Sequence, residues 1–559
     1  MQIPHKTPPS FDQRSAPVAP SAPSLKALTT LVSLAALALT ASAATINVNS
    51  NASLASALSG ANPGDTIVLA NGSYAGFTVS RSGTASAPIT VEAANQGGAT
   101  ISSGFIHLAQ NSYVIIQGLT LTTPGATATI DGSSGSAAIW LEAARNCRVS
   151  RCTFKLAGAS GTQWVTVAGA SDSNRIDHCE FGPNSSTGTR YILARGNPTI
   201  PGVTPPSDRT SWANGNGPVN PNMSRNTRID HNYFHDKSGT GETIGLGAIG
   251  VTGDYQNTNS LVEYNLFVNC DSDPEIITTK SSSNIIRYNT VRTCSGMFSL
   301  RAGNGSSIYG NFMLQGRKSG TGGIKIYEKN HTIFNNYIDS ADQYPILIGA
   351  GDSYSGGHFS HAQVFDALIV HNTVVNLFDR PVIMGHGSTD HLPPTDVVFA
   401  NNIIQGTAAT LFTVSTAPSN PTYSDNIIYP NGPSGFSAGQ FEVVNPQFTT
   451  VNGLQKLSSG SPAINAANQN YFSFVTDDMD GQTRNSHRDI GADEFSSAPI
   501  VRQPLTTGDV GPLSDLTPQA AAPAFSPGGG TYTGAQSVTI TSATSGTSIR
   551  YTTDGSAPS

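Results

Sequence analysis

The stretch "DSDPEIITTK", residues 271–280, sets two carboxylates two apart, at Asp273 and Glu275, and a lysine, Lys280, five residues after the second. Its Pro-Glu-Ile-Ile-Thr-Thr run reads as a β-strand, whose side chains alternate between faces. Carboxylates gathered in this way suit a hard, oxygen-preferring cation such as Ca²⁺. A lysine beside such a cation and an arginine loses part of its preference for the ammonium form, its pKa falls, and it becomes a general base. The plain alternative is a solvated strand face that happens to be charged. What decides between them is whether the chain stacks further charged groups, notably Glu242 and Arg301, against this strand.

The surrounding sequence is a repeat. "TRIDHNYF" at 227–234, "SLVEYNLF" at 260–267, "NIIRYNTV" at 284–291, "SSIYGNFM" at 306–313 and "HTIFNNYI" at 331–338 share one pattern, an apolar pair and a central asparagine before another apolar pair. Asn232, Asn265, Asn289, Asn311 and Asn335 recur at intervals of 33, 24, 22 and 24. Cys179 and Cys152 occupy the same slot upstream. Short β-branched runs at such a period, with turns between, predict an all-β solenoid of stacked parallel coils. Asparagine tolerates the left-handed geometry of a tight bend, and stacked amides can bond along the ladder. Cys270 and Cys294 each fall five residues after their asparagine. All five cysteines, with Cys147, therefore read as interior filling, and no CxxC metal pattern occurs.

The repeat turns spacing into geometry. Glu242 and Glu275 each lie ten residues after their asparagine, so they should stand one above the other on adjacent coils. Asp273 shares the face of Glu275, and Arg301 falls in the same region one coil on. Coils about 4.8 Å apart bring three like charges together, which is costly unless a cation separates them or one acid takes up a proton.

The whole chain fits this picture. It has 559 residues, only 12% of them charged, with 57 glycines and 34 prolines, which argues against a helical bundle and for a turn-rich β protein. The net charge of −7 gives no reason to expect nucleic acid. Residues 27–43, apolar and ending in Ala-Ser-Ala, read with what precedes them as a signal peptide over 1–43. Export follows, extracellular or periplasmic, with no membrane in the mature form and a monomer expected. The coils are expected over 44–495. Residues 53–74 offer a short N-terminal helix with Ser53 as its cap, and "DDMDGQTRNSHRDIGADEF", 477–495, should finish the stack. Residues 496–522 read as a linker. The segment 523–559, with "YTTDGSAPS", resembles the C-terminal β-sandwich module of chitobiase-like enzymes and stops inside that unit.

The segment "CDSDPEIITTKSSSNIIRYNTVRTCSGMFSLRAGN", with "GETIGLG" upstream and "GGIKIYEKNH" downstream, is similar to the polysaccharide lyases that include alginate lyases and chondroitinase B. The resemblance spans about residues 45 to 495 and is densest over 227–340. It implies a right-handed parallel β-helix, Ca²⁺ on Glu242, Asp273 and Glu275, Lys280 as base and Arg301 as its catalytic partner. The sequence departs from the family motifs at three points. Ala302 replaces a histidine, Gly245 replaces the arginine of Ile-Arg-Ile-Gly, and Lys325 replaces the arginine of Gly-Gly-Ile-Arg.

The implied reaction is β-elimination on an anionic uronate polymer, alginate first and dermatan sulfate as the alternative. Ca²⁺ would neutralise the sugar carboxylate and Lys280 would remove the C5 proton. A guanidinium hardly deprotonates, so Arg301 should stabilise charge, with the leaving oxygen receiving its proton through water or a sugar hydroxyl. Lys325, His331, His358 and His361 are candidates for substrate contact. A hydrolase would need paired acids with no metal between them, and a non-catalytic sugar-binding solenoid would need neither Lys280 nor Arg301.

Overall fold

Strands of two to ten residues wind into a three-sided parallel β-helix in a computed structural model of the chain. The structure describes residues 43–559 except 124, 131–132, 157–159, 197–219, 248–255, 353–360, 388–390, 468–472, 516–522, 543–548, 550 and 553–559. The expected signal peptide therefore lies outside the described residues but for its last position. Among the described residues no helix is long and apolar enough to cross a membrane.

Coils give one strand to each of three sheets, which hold 14, 13 and 14 strands among the described residues. Side chains of like shape stack in register through the interior. In the first sheet Ile229, Val262, Ile286, Ile308, Ile333, Ile369 and Phe399 form one continuous buried column. Burying each such side chain stabilises the fold by about 1.5–3 kcal/mol.

The asparagine ladder runs through Asn232, Asn265, Asn289, Asn311, Asn336, Asn372, Asn402 and Asn426, each amide donating to the next at 2.9–3.1 Å. Cys152 and Cys179 head the same column, and all five cysteines are free and buried. The sequence expectation differs by one residue at one rung. Asn336, not Asn335, is the ladder member; Asn335 precedes it, has φ of 52° and bonds Asp477 O. The left-handed bend belongs throughout to the residue before the ladder, as at His231, Tyr264, Tyr288, Gly310, His371 and Asn401. Asparagine is selected at these rungs by its amide rather than by tolerance of positive φ.

The helix at the N-terminal end spans Asn51–Gly60 and buries Leu54, Ala57 and Leu58. Its cap is Ser50 rather than Ser53. Ser53 stands at the third helical position and closes a reciprocal capping box with Ser50, which satisfies two otherwise orphaned backbone donors.

After the last coil the chain turns back along the side of the solenoid. Ala492 N donates to Thr373 Oγ1, Leu505 N to Thr290 Oγ1 and Gly511 N to His231 O, so the strap passes successively earlier coils. Residues 477–495 thus lie along the stack, and the stretch read as a linker stays hydrogen-bonded to it through 511. Residues 513–559 form a separate unit, in which Ala524–Ser526 pairs antiparallel with Thr539–Thr541.

Candidate active site

The sheet of 13 strands carries the charged residues on its outer face, on strands Ile244–Gly247, Glu275–Lys280, Gly296–Ala302 and Thr321–Ile326. Ile244 pairs with Ile277, which sets Glu242 and Glu275, each two residues earlier, in one column. Glu275 and Lys280 are five apart and would face opposite sides of a regular strand. A β-bulge corrects this: Ile276 is the extra residue, tucked into the core beside Ile277, and both charged side chains face out. A second irregularity sets Lys280 opposite Ala302 and leaves Arg301 as the extra residue of the facing strand.

The charges interlock across coils. Lys280 Nζ meets Glu242 Oε1 at 2.5 Å, and Arg190 Nε meets Glu242 Oε2 at 2.5 Å. Lys325 Nζ meets Glu275 Oε1 at 2.5 Å, Arg301 Nη1 stands 3.7 Å from Glu275 Oε2, and Thr278 and Ser299 donate to the same carboxylate at 2.7 and 3.0 Å. Burial pushes Glu242 up, but Lys280 and Arg190 outweigh it and hold its carboxyl down at about 2. Burial likewise raises Glu275, and Lys325, Thr278 and Arg301 together bring it below the usual range. Asp273 goes the other way, raised by burial and by Glu242 and Glu275 beside it. Among the described residues it has no ion pair.

The three acids expected to hold a cation are thus neighbours and offer the carboxylate oxygens that a hard cation takes. The oxygens of Glu242 and Glu275 are on the chain's own lysines and arginines, and the repulsion that argued for an inserted ion is relieved by four cations. The one convergent group of three acids among the described residues is elsewhere, at Asp478, Asp480 and Asp493 in the strap, where Lys456 pairs with Asp480 and Asp493.

Residues 48–434 match the family model described as Chondroitinase B. The chain belongs to the chondroitinase B family. Residues 527–559 match the Chitobiase/beta-hexosaminidase C-terminal domain. Among solved structures, a variant of the PL6 family alginate lyase AlyGC is similar at 22% identity and a TM-score of 0.65, over 85% of this chain and 60% of that one. A mannuronic acid specific family 6 lyase from human gut microbiota is similar at 22% identity and 0.56, over 69% and 86%. The family 6 lyase Pedsa3628 from Pseudopedobacter saltans is similar at 20% and 0.55, over 70% and 94%. The chain spans about 60% of the length of AlyGC. No curated protein matches. The chondroitinase B family is one of polysaccharide lyases.

In this family member Lys280, Arg301, Glu242, Asp273, Glu275 and Lys325 come together on adjacent coils. His331 does not join them. It is fully buried, its Nδ1 accepts from Ser306 N, and burial pulls its pKa down to about 4. It continues an interior polar column through Asn284 and Ser306, so it contacts neighbouring coils and not solvent. His361 packs its ring 4.3 Å from Tyr327, and His358 lies outside the described residues.

Two residues at the site carry no motif. Arg190 precedes Ile192, which pairs with Ile244, so Arg190 heads the column of Glu242 and Glu275. It falls eleven residues after Cys179 where Glu242 falls ten after Asn232, and counting from the ladder misses it by that one residue. Lys237, also fully buried, donates at 2.5 Å to both Gly241 O and Ser272 Oγ and ties together the corners leading into Glu242 and Asp273. Burial pulls its pKa down to about 8. Only the fold reveals it.

Proposed function

We propose that this chain is an exported lyase that cleaves a uronate polymer by β-elimination, with alginate as the substrate. The observation that carries the reading is Lys280 and Arg301 side by side on a bulged, outward-facing pair of strands, backed by carboxylates and further cations. Alginate is favoured because two of the similar structures are described as an alginate lyase and as a mannuronic acid specific lyase. Dermatan sulfate is the second reading, favoured by the family model that matches. Export is supported by the apolar stretch at 27–43.

In this mechanism the sugar carboxylate is drawn to Arg301 and Lys325, which stabilise the charge that develops as C5 loses its proton. Lys280, once deprotonated, takes that proton. The electron pair forms the C4–C5 double bond, the C4–O bond breaks, and the leaving oxygen is protonated from water. Ala302, where similar sequences carry histidine, leaves Lys280 as the base. Glu242, Asp273 and Glu275 would hold a Ca²⁺ cofactor, which would neutralise the sugar carboxylate, on the spacing of the acids and the resemblance. It would require Lys280 and Lys325 to leave their glutamates, and no step above passes through it.

A panel of uronate polymers tests the reaction. Ultraviolet-absorbing unsaturated ends from alginate are expected. Reducing ends without that absorbance mean hydrolysis, and neither on any polymer means a binding protein. Chelation tests the metal. Activity lost in chelator and restored by Ca²⁺ is expected, whereas full activity of metal-free protein removes the ion and leaves Arg301 and Lys325 to do its work.

A further inference from the structure

Arg190 stands one coil ahead of Glu242 and outside the pair assigned to the reaction. Its side chain is 28% exposed, and its one ion pair among the described residues is through Nε to Glu242. That leaves the two terminal nitrogens of the guanidinium, the half of the fork that grips carboxylates, without a bond to the described residues. The side chain reaches this place by lying across Gly245. A Cβ at 245 would stand 3.3 and 3.4 Å from Arg190 Cδ and Nε and 3.1 Å from Leu193 Cδ1. Gly245 sits mid-strand, paired with Leu193 and Thr278, with no left-handed φ to require a glycine. Space for the arginine is what glycine provides there. Gly245 is also where the similar motif carries an arginine, and here the guanidinium lying over that position is that of Arg190.

We infer that Arg190 is a substrate-binding residue, taking the carboxylate of a sugar unit next along the polymer from the one that Lys280 attacks. It lies two coils from Lys280 on the same outer face, and the two side chains reach the opposite oxygens of Glu242. The inference rests on the uronate-polymer reading. The competing role, neutralising Glu242 alone, is already served in part by Lys280.

The test uses polymer binding as well as turnover. In a Lys280→Ala background, retardation in alginate-containing gels should weaken roughly 10- to 100-fold on adding Arg190→Ala, the worth of a charge-assisted pair. With Lys280 intact, Arg190→Ala should raise KM by a similar factor with a smaller fall in kcat. Gly245→Ala, which crowds Arg190 without straining the backbone, should weaken binding in the same direction at unchanged melting temperature. Gly245→Arg added to Arg190→Ala should restore affinity. Binding unchanged by Arg190→Ala, or a fall in kcat with KM unchanged, overturns the assignment. A wild type that binds alginate but yields no unsaturated product sinks the lyase reading and leaves the Arg190 result standing. A Lys280→Ala protein that binds no uronate polymer overturns both.

Discussion

Lys280 touches Glu242 at 2.5 Å and sits two positions beyond Thr278 on the outer face, within a shell of cations that cannot themselves take a proton from carbon. Arg190 and Arg301 carry guanidinium groups, which are poor proton acceptors, and Lys325 belongs to the next coils on, paired with Glu275. Lys280→Ala should therefore cost the 10²–10⁴ in rate typical of losing a general base, with polymer binding retained. Lys280→Arg should be nearly as inactive, since guanidinium does not give up its proton. Rates of unsaturated-product formation by both variants check this. Substantial turnover by Lys280→Arg would reduce Lys280 to a substrate-holding group. Glu275→Gln should be inactive for a different reason: it removes the charge that fixes Lys325 and Arg301 and leaves both cations free to move.

Between residue and molecule the working unit is the coil, and its register is set by the asparagine ladder. Asn289 illustrates how tightly. Its Oδ1 accepts from both the backbone and the amide of Asn265, and its Nδ2 donates to Val262 O, Arg287 O and Asn311 Oδ1. It is fully buried, so Asn289→Ala strands donors and acceptors on both neighbouring coils. At about 1–3 kcal/mol for each stranded group, a loss of several kcal/mol is expected, measured by denaturant unfolding. An Asn289→Ala protein as stable as wild type would mean that apolar stacking alone holds the coils. The bulge at Ile276 is the other element-scale device. The Glu-x-x-x-x-Lys spacing places both residues at the site only because one residue between them leaves the strand's alternation.

At the scale of the molecule, strap and solenoid respond oppositely to pH. Burial pushes Asp478 and Asp489 in the strap up to about 6, from an ordinary 3.8. The folded strap then holds protons that an unfolded chain has lost. This contribution to stability is full below about 3.8 and disappears as pH rises through 6, on the order of 3 kcal/mol for each acid at most. On the solenoid, burial raises Asp177, but Arg148 and His178 outweigh it and hold it well below the usual range, and Asp230 is held low by His231 and Arg175. These contributions are present above the ordinary value and are lost only as pH falls below it. Rate-corrected amide exchange should show residues 475–495 better protected at pH 5 than at pH 8, with the coils unchanged. Asp478→Asn should flatten that difference. Equal strap protection at both pH values would contradict the expectation.

The sequence alone determined the all-β solenoid, the buried cysteines and the stacking of Glu242 over Glu275, because a repeat with a fixed amide rung turns residue counts into spatial register. It also singled out Lys280, Arg301 and Lys325, through spacing and resemblance. It misjudged whatever depends on where a local departure falls. Ser50 takes the helix cap because Ser53 completes the box, and Asn336 takes the rung because its neighbour takes the bend. Only the tertiary structure decided which charges pair. Arg190 meets Glu242 across coils 52 residues apart in sequence, Lys237 ties two corners from inside, and His331 turns inward with its column. Ion pairs depend on side-chain direction, which bulges and corner lengths set. A one-residue change in either moves a side chain to the other face while leaving the pattern of the repeat intact.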